Sequence, residues 1–241
     1  GSYGWEKQTT AAQRLPLGTE MAFTDGRKYR YVENGGTALE EGKIVSSEAP
    51  AAHHDEDLAV ATAAVGSKTL TVTLEGTEAA KNLYAEGYVF MNLPTLATTG
   101  GSRPMYKIRS HPYAAGSATL ELTLDEDDGL VVAVTNSTET AGLIKSPYKD
   151  IVVAPGAIVG RYVGVTPITI AADYFGWVQV AGLCAAALDG NVAMGTVVGS
   201  SGTHPGSFVA VGADVTSAIG RVHGKVGVND EWHTVMLTNL Y

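Results

Sequence analysis

Cysteine is almost missing from this chain: Cys184 stands alone among 241 residues. No intrachain disulfide can form, which fits folding in a reducing cytoplasm. Basic charge is also scarce. Lys and Arg total 16 against 25 Asp and Glu, leaving a formal net charge of −9. Such a surface repels phosphate backbones, so nucleic acid is not expected as a partner. No apolar run reaches 18 residues, and no membrane partner is expected. The nearest candidate, 168–188, contains Asp173 and Gln179 and alternates in its first half, so it reads as buried strands. The N-terminus shows no basic segment followed by an apolar core, hence no secretory signal is expected.

What is present points to β structure. Hydrophobic residues make up 45% of the chain and charged ones 17%, too apolar a balance for a disordered polymer. Ala, Thr and Val are frequent, and 29 Gly punctuate the sequence. Thr and Val favour pleated strands, and Gly supplies turns. Leu70-Thr71-Val72-Thr73-Leu74 and Leu120-Glu121-Leu122-Thr123-Leu124 alternate strictly, with the leucines and Val72 on one face. Tyr88–Met91, Met105–Ile108 and Leu130–Val134 supply further strands. Asp25-Gly26 marks a hairpin turn. More strands are expected at 158–164, 167–171, 175–181, 192–198, 207–211 and 218–224, with a last one at 232–237. Ala185-Ala186-Ala187 could form a short helical turn, although Gly182 and Gly190 bracket it closely.

The expected fold class is all-β, with two small β-barrel or sandwich-like domains behind an extended N-terminal arm. The arm covers 1–22. One β domain covers 23–153, with a polar loop at 47–57 that is itself a candidate boundary. A barrel-like domain covers 154–241.

No motif assembles a catalytic or metal centre. Gly36 to Ile44 imitates a phosphate loop but has five residues between its glycines, Ile44 where Ser or Thr is needed, and two glutamates facing the phosphate. His53 and His54 lie side by side, so on a strand they point to opposite faces. Asp125-Glu126-Asp127-Asp128 lacks the distal glutamate of a calcium loop, because Asn136 occupies that place. Ser110-His111 are neighbours that diverge along a strand and have no orienting acid. Cys184 sits in apolar sequence and reads as an inert core thiol. Asn136-Ser137-Thr138 matches a glycosylation sequon without any sign of secretion. Neither catalytic residues nor a cofactor or metal are therefore assigned. The interface candidates are Tyr3 and Trp5 in the arm, and Phe175 and Trp177, whose default reading is core.

A resemblance adds to this. Val163-Gly164-Val165-Thr166-Pro167 through Tyr174-Phe175-Gly176-Trp177-Val178-Gln179-Val180-Ala181-Gly182, with the Ala-rich 185–194 after it, resembles the small β domains of tailed-phage capsid decoration (cement) and head structural proteins. Gly66–Val72, Tyr84–Tyr88, Tyr106–His111 and Thr119–Leu122 are similar to β domains of phage virion proteins. The likeness covers about residues 30–225, by pattern. It implies a non-enzymatic virion protein made in the host cytoplasm. A homotrimer or other oligomer would bind the major capsid protein on the capsid exterior. The alternatives are a tail or baseplate β protein, a carbohydrate-binding module with exposed coplanar aromatics, and a hydrolase on a β scaffold.

Overall fold

A computed structural model describes residues 2–92, 104–136, 139–155, 160–212, 218–224, 229 and 231–238. Among these there is no α-helix, only a 3-10 turn at Trp5–Lys7. The chain forms two compact units. The first joins Gly1–Ala49 to Pro147–Tyr241, and the second is Pro50–Ser146.

In chain order the first unit opens with β1 (Glu20–Ala22), β2 (Lys28–Glu33) and β3 (Ile44–Ser46). The second unit contains β4 (Leu58–Val60), β5 (Thr69–Thr73), β6 (Tyr88–Asn92), β7 (Tyr106–Ser110), β8 (Thr119–Leu124) and β9 (Thr140–Ile144). The chain then returns to the first unit with β10 (Val152–Val153), β11 (Tyr162–Val165), β12 (Phe175–Ala187), β13 (Val197–Ser200), β14 (Phe208–Ala210), β15 (Gly220–Val222) and β16 (Trp232–Leu237).

The all-β class is as expected, but the expected domain boundary at 153/154 is corrected. The second unit is an insertion. β3 pairs with both β10 and β11, so residues on either side of the insertion share one sheet and cannot belong to separate domains. One cut does fall in the polar loop 47–57, after Ala49.

The inserted unit is a closed barrel in the order β4-β5-β8-β7-β6-β9, every pair antiparallel. Its strands alternate as the sequence does. Leu70 stands opposite Leu122 and Val72 opposite Leu120, and all four are fully buried. A barrel this narrow is filled by its own inward side chains, and closure removes the sheet edges. Buried polar groups stiffen the same unit. His54 Nε2 donates to the Thr77 carbonyl (2.9 Å), and Nδ1 is hydrogen-bonded to the Tyr84 hydroxyl (2.6 Å). The Tyr84 N–H donates to His111 Nε2 (2.9 Å), whose Nδ1 donates to the Pro112 carbonyl (2.7 Å).

In the first unit β12 is the organising strand. Its 13 residues pair with β2 along Phe175–Ala181 and with β16 along Gly182–Ala187. The register slips between Gln179 and Ala181, and Gly182 follows with φ +85°. A Cβ at Gly182 would sit 2.9 Å from Arg27 Cα, so only glycine lets the β1–β2 hairpin turn lie against this bend. Ala185–Ala187 continue the strand rather than forming a helical turn, because they pair with Trp232–Thr234.

The N-terminal segment is not a free arm, which corrects the reading of 1–22. Thr10 exchanges backbone hydrogen bonds with Phe175 (2.9 and 2.8 Å). Residues 20–22 are strand β1, paired with β2. Leu15 and Leu17 pack on an aromatic row of Phe23, Tyr29, Tyr31, Phe175 and Trp177. Burying these rings against the chain's own sheet outweighs holding an extended, solvated arm.

Core and surface leucines give a direct check. Leu122→Ala should cost the barrel about 2–5 kcal/mol in denaturant unfolding. Leu183→Ala, on a 39%-exposed side chain, should stay within about 0.5 kcal/mol. Equal costs would contradict the barrel core described.

Candidate functional site

The bend in β12 opens a cavity of about 290 Å³ in the first unit. Three local structures bring its polar groups together. The Asp25-Gly26 turn delivers Arg27, the bulge in β12 turns Gln179 inward, and the 3-10 turn buries Glu6.

These groups form a chain. Arg27 Nη1 donates to the Tyr29 hydroxyl (2.9 Å), which donates to Gln179 Oε1 (3.3 Å). Gln179 Nε2 donates to the carbonyls of Ala181 (3.0 Å) and Leu183 (2.9 Å), bridging the bulge. Arg27 Nε binds Asp25 (2.8 Å), and its guanidinium lies 5.2–5.9 Å from the ring centroids of Tyr3, Phe23 and Tyr29. Glu6 Oε1 lies 3.9 Å from Arg27 Nη1. Burial pushes the Tyr29 phenol up to about 12, with the Arg27 charge opposing it. Cys184 also lines the cavity, and burial pushes its thiol up to about 12. Trp232, half exposed, stands at the mouth.

Tyr3 and Trp5 are exposed at 62% and 53%. Phe175 and Trp177 are buried at 9% and 5%, within the aromatic row under the N-terminal segment, so they are not surface contacts. This corrects their place among the interface candidates and removes the aromatic platform expected of a carbohydrate module at those residues. His53 is exposed beside Glu75 (3.3 Å), whereas His54 is buried, so the pair is split. Asp128 accepts the Lys107 N–H (2.6 Å) and Asp125 accepts the Asp127 N–H, which makes the acidic run a turn. Among the described residues no three metal-capable side chains converge. Ser137 and Thr138 of the sequon and the 158–159 part of the strand expected at 158–164 lie outside the described residues.

A second polar cluster gave no signal in the sequence. Ser201 Oγ donates to Asp189, and it accepts the N–H groups of Thr203 and His204 (both 3.0 Å). His204 Nδ1 meets Asp189 Oδ1 at 3.0 Å. The Ser201 hydroxyl, followed by His204, holds the Asp189 carboxyl below its usual range. Serine and histidine both address the acid rather than each other, so no base is placed to take the serine proton. The cluster clasps the loop before β14.

Two checks follow. Native protein should leave Cys184 unreacted with a thiol reagent near pH 8, and denatured protein should react fully. Rapid native labelling would contradict the buried thiol. Tyr29 and Cys184 both hold their protons more tightly when folded, so their contribution is complete below pH about 9–10 and lost as pH rises towards 12. Denaturation midpoints should fall across that window, and less steeply in Tyr29→Phe.

No protein-family model matches the chain, and no curated protein or solved structure matches it.

Proposed function

We propose that this is a non-enzymatic structural protein that assembles with other subunits, with capsid decoration as the specific role. One observation carries the reading: large apolar side chains stand in solvent on the first unit. Met194 is 69% exposed and Met236 40%, and they border a hollow of about 410 Å³ with Arg221 and His223. Tyr3 and Trp5 add exposed rings. Apolar groups gathered around a hollow, with polar residues at its border, are what an interface offers. Two compact β units suit a passive shell component, and the resemblance of 163–194 to phage decoration domains gives the more specific role. A symmetric oligomer on a lattice would multiply modest contacts by avidity. The occupant assigned to the Met194–Met236 hollow is a second copy of this chain, and the major capsid protein is the lattice partner.

Light scattering coupled to size exclusion tests this. The expected mass is three chains of 25.0 kDa each. Met236→Asp should shift the population towards monomer without lowering the melting temperature of the barrel. A monomer at every concentration would overturn the preassembled oligomer.

A further inference from the structure

We propose that the cavity at the bend of β12 binds a single neutral sugar ring. The argument starts from two groups left incomplete. Glu6 is 3% exposed. Its Oε2 accepts the Gly4 N–H (2.6 Å), but Oε1 has only Arg27 Nη1, at 3.9 Å, beyond hydrogen-bonding reach. Oε1 opens on the cavity rather than being sealed in the protein, so a ligand hydroxyl can replace water there as its donor. Arg27 commits Nε to Asp25 and Nη1 to Tyr29, and its Nη2 makes no hydrogen bond among the described residues.

The cavity therefore presents an acceptor-only group beside a donor-only group. A vicinal diol matches both. One hydroxyl donates to Glu6, and its neighbour accepts from Arg27. A charged ligand fits less well. Glu6 and Glu41 oppose an anion, while Arg27 and Lys7 oppose a cation.

Trp232 supplies the apolar half of the recognition. It is 48% exposed, and its ring lies over Gly42, where a Cβ would fall 1.7 Å from Cζ3. Glycine at 42 thus sets the indole at the cavity mouth, with apolar ring surface free to cover the C–H face of a sugar. A volume of about 290 Å³ is at the small end for ligand pockets, enough for one ring rather than a chain. The proposal does not rest on the assembly reading. Across the strands Met236 has Leu183, a cavity residue, on one side and Arg221, at the hollow, on the other.

The test is saturation-transfer NMR followed by calorimetric titration, using methyl glycosides of glucose, galactose and mannose, and N-acetylglucosamine. The probes are added to the protein in whatever oligomeric state it adopts. At least one sugar should bind saturably with Kd on the order of 1 mM. Glu6→Gln and Trp232→Ala should each weaken that binding about tenfold or more, and Met194→Ala should leave it unchanged. Trp232 is half exposed, so its replacement reads out binding even if Glu6→Gln disturbs folding, which melting curves would reveal. Absence of saturable binding by all four sugars overturns the proposal. So does binding that Trp232→Ala leaves untouched.

Discussion

Strand β12 carries the first unit, because two sheets share it. Its first half completes the sheet of β2, β11, β3 and β10, and its second half opens the sheet of β16, β15, β13 and β14. One strand can serve both only by changing direction. The register slip at Gln179–Ala181 and the left-handed backbone of Gly182 make that change. Much else depends on it. The bend leaves room for the β1–β2 turn, which places Arg27. It turns the Gln179 side chain inward, where the amide satisfies the two carbonyls the bulge would strand. It also opens the cavity that Glu6 and Trp232 border.

The N-terminal segment closes the other side of the same strand. Phe175 and Trp177 face Tyr31, and without residues 10–17 these rings would meet water. The segment is fixed by backbone pairing at Thr10, by the Arg14 N–H on the Tyr31 hydroxyl (3.0 Å), and by β1. Glu6 is buried as a consequence, since the 3-10 turn that carries it is drawn down with the rest. An acidic residue in a polar N-terminal stretch thus becomes a cavity group by packing alone.

The two proposals use different physics on one unit. Assembly draws on exposed apolar side chains that gain by leaving water, and it needs no chemistry from the protein. The cavity draws on an acceptor and a donor that line it and have hydrogen-bonding capacity to spare for a ligand. The barrel unit contributes a closed, edge-free body in which His54, Tyr84 and His111 are held by hydrogen bonds.

Alternation and turn chemistry determined the all-β class, the barrel strands at 69–73 and 119–124 and the Asp25-Gly26 hairpin, and apolar context the burial of Cys184, whereas His53 and His54 part in a turn rather than on a strand. These are local consequences of period-two patterning and turn chemistry, which neighbouring residues suffice to express. Only the tertiary structure decided that residues 50–146 are an insertion, because the partners of β3 lie about a hundred residues downstream and short-range periodicity contains no pairing information. The same holds for the packed N-terminal segment, whose sequence has no period and whose aromatic cover lies on β2 and β12. It holds most of all for Glu6, Arg27, Gln179 and Trp232. They are scattered from one end of the chain to the other, and become a site only where a bent strand gathers them around one cavity.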